Sequence, residues 1–175
     1  MIYYIIGYPC CGKTTFSKEI SKKFGIGFVD IDEEIVKREN KQISEIFDTK
    51  GEIAFRKIET KTLHDITKNS SDDVVVSCGG GLPCYNGNME YMLKHGIVIY
   101  IKTPIDTIMA RMTKPGEIEK RPLFYKNFQL GTLKEFIEEQ YTERDISFYS
   151  KANITINYEK DFYNKWSKLE FCRNS

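Results

Sequence analysis

The chain has 175 residues, of which 41% are hydrophobic and 29% charged; this suits one folded domain with a core and excludes a disordered chain. Lys plus Arg number 26 against 25 Asp plus Glu, and a net charge of +1 excludes a global attraction to nucleic acid or an anionic membrane, so any positive site must be local. No run approaches the ~20 apolar residues of a membrane span, the start carries no basic leader-like segment, and five scattered Cys with two His suit reduced thiols rather than a zinc cage, so a soluble cytoplasmic protein is expected.

Ile2–Ile6 is a short run of Ile and Tyr and predicts a first strand. Directly after it comes Gly7-Tyr8-Pro9-Cys10-Cys11-Gly12-Lys13-Thr14, which fits G-x-x-x-x-G-K-[ST] between a strand and a helix. The backbone N–H groups of such a loop, with the positive end of the following helix, bind phosphate oxygens. Lys13 can then reach the outer phosphates and the Thr14 hydroxyl can ligate Mg²⁺, which points to a purine nucleotide. Cys10 and Cys11 either have a lowered thiol pKa beside Lys13 or are small loop fillers.

Phe16, Ile20 and Phe24 recur at the spacing of a helix face. A second strand is predicted over Ile26–Asp30. In an extended chain Asp30 and Asp32 share a face at its carboxyl end. Either one carboxylate holds Mg²⁺ through water while the other accepts the proton of an acceptor hydroxyl, or Asp32 only caps a helix beginning at Glu33. Phe55, Ile58, Thr62 and Ile66 predict a long helix. Arg56 lies beside that stripe with Glu59 three residues on, either as an exposed ion pair or as an anion clamp fixed by Glu59.

Val74–Cys78 is a third strand, and Gly79-Gly80-Gly81 after it permits close backbone approach to a ligand or makes a tight turn. Ile97–Ile101 is a fourth. The charged stretch Met112–Gln129, with Pro115, Gly116 and Pro122, is expected to be a long loop: a surface insertion, or a lid whose Arg121 neutralises charge on a transferred phosphoryl group. Leu133, Phe136, Ile137 and Tyr141 predict a further helix. Arg144 falls on its apolar stripe, where a charge must face a ligand or a buried carboxylate. Asn153–Asn157 is a fifth strand. Strands alternating with helices predict an α/β fold with a parallel sheet, whose ligands bind at the carboxyl ends of the strands.

These residues, in this order, resemble shikimate kinase, a family within the nucleoside monophosphate kinase-like P-loop group. The likeness runs through Gly7–Thr14, Asp30-Ile31-Asp32, Ile43–Phe47, Gly51, Phe55-Arg56, Glu59, Gly79–Gly81, Arg121-Pro122-Leu123, and Arg144 with Ala152. The resemblance implies a three-layer kinase fold, with a five-stranded parallel sheet of order 2-3-1-4-5 flanked by helices. It implies one kinase domain over 1–175, with a shikimate-binding region at 32–62 and a mobile lid at 112–129. The implied reaction is ATP- and Mg²⁺-dependent phosphorylation of the 3-hydroxyl of shikimate, a step in aromatic amino acid biosynthesis.

On the nucleotide side the resemblance implies Gly7, Cys10, Cys11, Gly12, Lys13, Thr14, Thr15, Arg111 along the adenine, and Arg121. It implies Thr14 and Asp30 at the metal, and Asp32 as the base, working with Lys13 and Arg121. Arg56 and Arg144 bind the carboxylate, and Gly79, Gly80 and Gly81 form the acceptor loop. The partner is a small molecule, with no nucleic acid or membrane, and a monomer is the default. The sequence departs at Cys10, where the family commonly has glycine, and after Arg144, where proline then tyrosine is usual. Here Asp145-Ile146-Ser147-Phe148 follow and Tyr149 comes one place late. Two other readings stand beside this one: another small-molecule kinase of the fold, such as gluconate kinase, or a nucleotide-binding module without chemistry. Two arginines and a carboxylate pair suit a small hydroxy acid, whereas a nucleotide acceptor needs a base pocket and more phosphate-binding arginines.

Overall fold

A computed structural model describes residues 1–158. Its elements in chain order are β1 (Ile2–Ile6), α1 (Lys13–Phe24), β2 (Gly27–Asp30), α2 (Ile31–Glu39), α3 (Ile43–Asn69), β3 (Val74–Ser77), α4 (Asn88–His95), β4 (Ile97–Lys102), α5 (Ile105–Met112), α6 (Pro122–Gln129), α7 (Leu133–Ser147) and β5 (Ile154–Asn157). All strand pairs are parallel and the sheet order is β2-β3-β1-β4-β5. No helix among the described residues is long and apolar enough to cross a membrane.

β1 is buried along its whole length because helices cover both faces of the sheet. Its alternate residues divide between two cores. Tyr3 and Ile5 pack with Phe16 and Ile20 of α1, while Ile2, Tyr4 and Ile6 pack with Phe55 and Leu63 of α3, Met92 of α4 and Ile137 of α7. Each fully buried aliphatic side chain contributes about 1.5–3 kcal/mol, and this packing fixes the strand ends from which the site residues project.

Two expectations are corrected. Asp30 and Asp32 do not share an extended strand. β2 stops at Asp30, and the cap of α2 is Asp30 rather than Asp32: Asp30 Oδ1 accepts from the backbone N–H groups of Asp32 at 3.0 Å and Glu33 at 3.4 Å. An aspartate at this position satisfies helix N–H groups that would otherwise lack partners, so the helix begins two residues earlier than its acidic run suggests. The stretch 112–129 is not all loop either, because its second half is α6, with Pro122 in its first turn.

α3 is interrupted at Gly51, whose φ of 77° and ψ of 171° are not helical. Glu52, Arg56 and Glu59 therefore lie together at the start of the second helical segment, each a turn apart.

Candidate active site

A cleft of about 990 Å³ opens at the carboxyl ends of the strands, lined by the phosphate loop, Asp30, Asp32, Gly80, Arg111 and Arg121. The loop takes its shape from local constraints. Gly7 has φ 147°, and a Cβ there would lie 2.8 Å from both Cys11 Sγ and the Ile101 carbonyl oxygen, so only glycine fits. Lys13 Nζ donates to the carbonyls of Gly7 at 3.0 Å and Tyr8 at 2.9 Å, Arg111 Nη1 to that of Cys10 at 3.1 Å, and Thr103 Oγ1 to that of Cys11 at 3.0 Å. The loop carbonyls are thus held by donors around its rim. Thr15 lines the same cleft beside Thr14.

Cys10 sits in the left-handed region with φ 64°. A non-glycine residue there carries strain of about 1–2 kcal/mol, partly offset by the greater chain entropy glycine loses on folding. Cys10→Gly should therefore raise stability by about 0.5–1 kcal/mol, seen as a melting temperature about 1–4 °C higher; an unchanged or lower value would show that the thiol's packing outweighs the strain. Burial pushes the Cys10 thiol up, against the lowering pull of Arg121 and Lys13, so a loop filler rather than a thiolate stands here. Cys10, Cys11, Cys78 and Cys84 are all free, and Cys172 lies outside the described residues.

Thr14 Oγ1 donates to Asp30 Oδ2 at 2.9 Å, and Ser77 Oγ lies 3.4 Å from the same hydroxyl. These hard oxygen donors suit Mg²⁺, which is usually held by one or two protein oxygens with phosphate and water supplying the rest. No group of three or more His, Cys, Asp or Glu that could hold a metal ion by itself occurs among the described residues.

Asp32 lines the cleft and is exposed at its open mouth. Burial and then the adjacent Asp30 push its carboxyl up to about 6, against the pull of Lys13, Arg56 and Arg121. Glu59, 2% exposed, is pushed up to about 7 by burial, with Arg56 opposing and Asp32 adding. Arg56 Nη1 donates to Glu59 Oε2 at 2.5 Å, while its Nε and Nη2 donate to Glu52 Oε1 at 3.2 and 3.0 Å; the guanidinium also lies over the Tyr85 ring at 4.4 Å. Arg56 is thus an ion-paired, oriented cation rather than a loose surface charge.

Arg144 differs. It is half-buried over the Tyr8 ring at 5.4 Å, with Tyr149 and Cys84 beside it. No carboxylate among the described residues forms an ion pair with it. Of the two alternatives for a charge on an apolar stripe, the buried ion pair is not found among the described residues.

The three glycines after β3 have separate reasons. A Cβ at Gly79 would lie 2.7 Å from Glu59 Oε1 and 3.1 Å from Asp32 Oδ1; at Gly80, 2.6–2.9 Å from Pro9; at Gly81, 2.9–3.0 Å from the Arg56 guanidinium. The loop brings the phosphate loop, the carboxylates and Arg56 to one backbone segment. Gly80→Ala should displace Pro9, and with it the phosphate loop, lowering kcat/KM for ATP by about tenfold or more, as sub-ångström misplacement does; an unaltered value would mean that the loop yields freely.

Arg121 precedes α6, donates to the Glu117 carbonyl, and lies 3.4 Å from Glu117 Oε2. Arg111 lies over the Tyr158 ring at 4.7 Å, and both line the cleft. The segment 157–160, where the family resemblance puts an adenine loop, is described only as far as Tyr158. Sequence reasoning missed Glu52, Tyr85, Tyr8 and Tyr149. Glu52 was detectable four residues before Arg56; Tyr8 in the phosphate loop and Tyr149 after Arg144 were in view but given no role, and Tyr85 comes from a distant segment with no local signal.

The family model described as shikimate kinase matches residues 9–168. A shikimate kinase of Parabacteroides distasonis is 39% identical over 159 residues, covering 90% of this chain and 87% of the relative. One of Clostridium botulinum is 39% identical over 174 residues, covering 94% and 97%. Among solved structures, a shikimate kinase from Bacteroides thetaiotaomicron superposes with TM-score 0.81 at 29% identity, covering 99% of this chain and 97% of that one. A shikimate kinase from Acinetobacter baumannii in complex with shikimate gives TM-score 0.84 at 27% identity, covering 98% and 93%.

Proposed function

Because the chain belongs to the shikimate kinase family, whose members phosphorylate a hydroxyl group, we propose that its cleft transfers the γ-phosphoryl group of ATP to the 3-hydroxyl of shikimate through the residues described above. The observation that supports the assignment of residues is the pairing of one oriented, ion-paired arginine, Arg56, with one, Arg144, that forms no ion pair among the described residues, both acting on the buried Glu59 beside the glycine loop.

Shikimate has one carboxylate and three hydroxyls. Its carboxylate suits Arg144 first and Arg56 second, through charge-assisted hydrogen bonds of planar geometry. That docking turns the 3-hydroxyl towards Asp32. Asp32, ionised above about pH 6, accepts the hydroxyl proton as the oxygen bonds to the γ-phosphorus and the bond from that phosphorus to the bridging oxygen of ADP breaks. Lys13 leaves the loop carbonyls for the phosphate oxygens, and Arg121 approaches the transferring group from the 112–129 segment, which acts as the lid. Thr14 and Asp30 would hold Mg²⁺, which when bound would supply charge neutralisation on the phosphate oxygens. Gly7, Cys10, Cys11, Gly12 and Thr15 contour the phosphate site, Arg111 borders the adenine, and Gly79–Gly81 contact the acceptor. The rest is positioning and exclusion of water, which would otherwise compete as acceptor. The reading takes the enzyme as a cytoplasmic monomer acting on small molecules.

A coupled assay of ADP release over shikimate, gluconate and nucleoside monophosphates tests this. Turnover with shikimate alone is expected. Equal turnover with gluconate or a nucleotide would remove the substrate assignment, and ATP binding without turnover on any acceptor would favour a non-catalytic nucleotide-binding module.

A further inference from the structure

Tyr149 follows α7 in a short 3₁₀ turn, Tyr149–Lys151, and none of its surface is exposed. Its hydroxyl donates to the carbonyl oxygen of Gly80 at 2.5 Å. Its ring packs on Tyr100, with centroids 5.1 Å apart, and the Tyr100 hydroxyl donates in turn to that of Tyr141 on α7. The guanidinium of Arg144 lies beside the same phenol. Burial holds the phenol well above its ordinary pKa, so it stays a protonated donor at working pH.

The contact with Gly80 has a geometric consequence. A peptide unit is planar and trans, so its N–H points opposite to its C=O. Fixing the Gly80 carbonyl on Tyr149 therefore fixes the Gly81 N–H in the opposite direction. Gly80 itself is wedged against Pro9 on the other side. Glycine has no side chain to restrict its own peptide orientation, and three in succession leave the segment free to turn; the direction must come from a partner.

We infer that Tyr149 is a positioning residue of the acceptor site, whose buried hydroxyl holds the Gly80–Gly81 peptide and Arg144 in one fixed relation. An incoming carboxylate then meets guanidinium and backbone donors already aligned. The inference rests on the functional reading above.

Tyr149→Phe keeps the ring and removes the hydroxyl. The expected result is a rise in the shikimate KM of about five- to twentyfold, with the ATP KM and kcat within about threefold of wild type. In an Arg144→Ala background the same change should raise the shikimate KM less than about twofold, because both act on one contact. A merely structural tyrosine would lower the melting temperature and leave the folded enzyme's KM ratio unmoved, and that outcome, or an equal rise in both KM values, overturns the inference. Should the phenylalanine variant fail to fold, Tyr149→Met fills similar space without a donor and is read the same way. Absence of wild-type turnover on shikimate would overturn the functional reading and this inference together; wild-type turnover with an unchanged shikimate KM in the variant overturns this one alone.

Discussion

Asp32→Asn should reduce kcat by about 10²–10⁴-fold while leaving ATP binding near that of wild type. The substitution keeps the size of the side chain and removes its ability to accept a proton from the acceptor hydroxyl. In the proposed mechanism ATP is held by the loop, Lys13 and Arg121, whose hydrogen bonds run to backbone carbonyls and not to Asp32. A coupled ADP-release assay gives kcat, and a nucleotide titration gives the affinity; an unchanged kcat would end the proposed role.

The same carboxyl predicts a pH profile. It is raised from 3.8 to about 6, by burial first and Asp30 second, so activity should fall as pH drops below about 6, where the group is protonated and cannot accept. Glu59, raised to about 7 and interacting with Asp32, titrates in the same range, so the acid limb belongs to the pair. Stability should show the opposite sign. The unfolded carboxyl releases its proton near 3.8 while the folded one holds it to about 6; ionisation therefore opposes folding as pH rises through that window. Solvent at the cleft mouth screens this exposed carboxyl, so Asp32→Asn should melt only slightly above wild type at neutral pH, with the difference closing towards about pH 4. A variant less stable than wild type at neutral pH would contradict this.

Arg144→Ala should raise the shikimate KM by about 10–100-fold, the equivalent of about 1.5–3 kcal/mol for hydrogen bonds between charged groups, with little change in the ATP KM. It is a cleaner test than Arg56→Ala. Removing Arg56 strands Glu59 in the interior and confuses folding with binding. Removing Arg144 strands no carboxylate among the described residues, so the fold should survive and the loss should appear only when the acceptor's own carboxylate arrives. A larger effect on ATP than on shikimate would place Arg144 on the nucleotide side.

The residues that were legible in the sequence carry strong local signals. The phosphate loop is a dense pattern tied to a strand and a helix, and β1, β3 and β4 are unbroken apolar runs because both faces of the sheet are covered. Arg144 was legible because a charge on an apolar stripe demands an explanation. The β2–α2 junction was misread because alternation in Phe28–Asp32 mimics a strand, whereas the capping preference of Asp30 decides where the helix starts. α6 was hidden by its charged and proline-containing surroundings, although Phe124 and Phe128 are spaced for one helix face. The Tyr85–Glu52 contact at 3.2 Å and the Tyr149–Gly80 contact join segments 33 and 69 residues apart, and nothing in local spacing announces such pairs.

The most direct measurement is a crystal structure of the enzyme with shikimate and a non-hydrolysable ATP analogue. The account predicts the shikimate carboxylate on Arg144 and Arg56, and the 3-hydroxyl within about 2.6–3.2 Å of an Asp32 oxygen, its oxygen in line with the γ-phosphorus. A ring bound with its carboxylate away from both arginines, or with that hydroxyl turned away from Asp32, would contradict it.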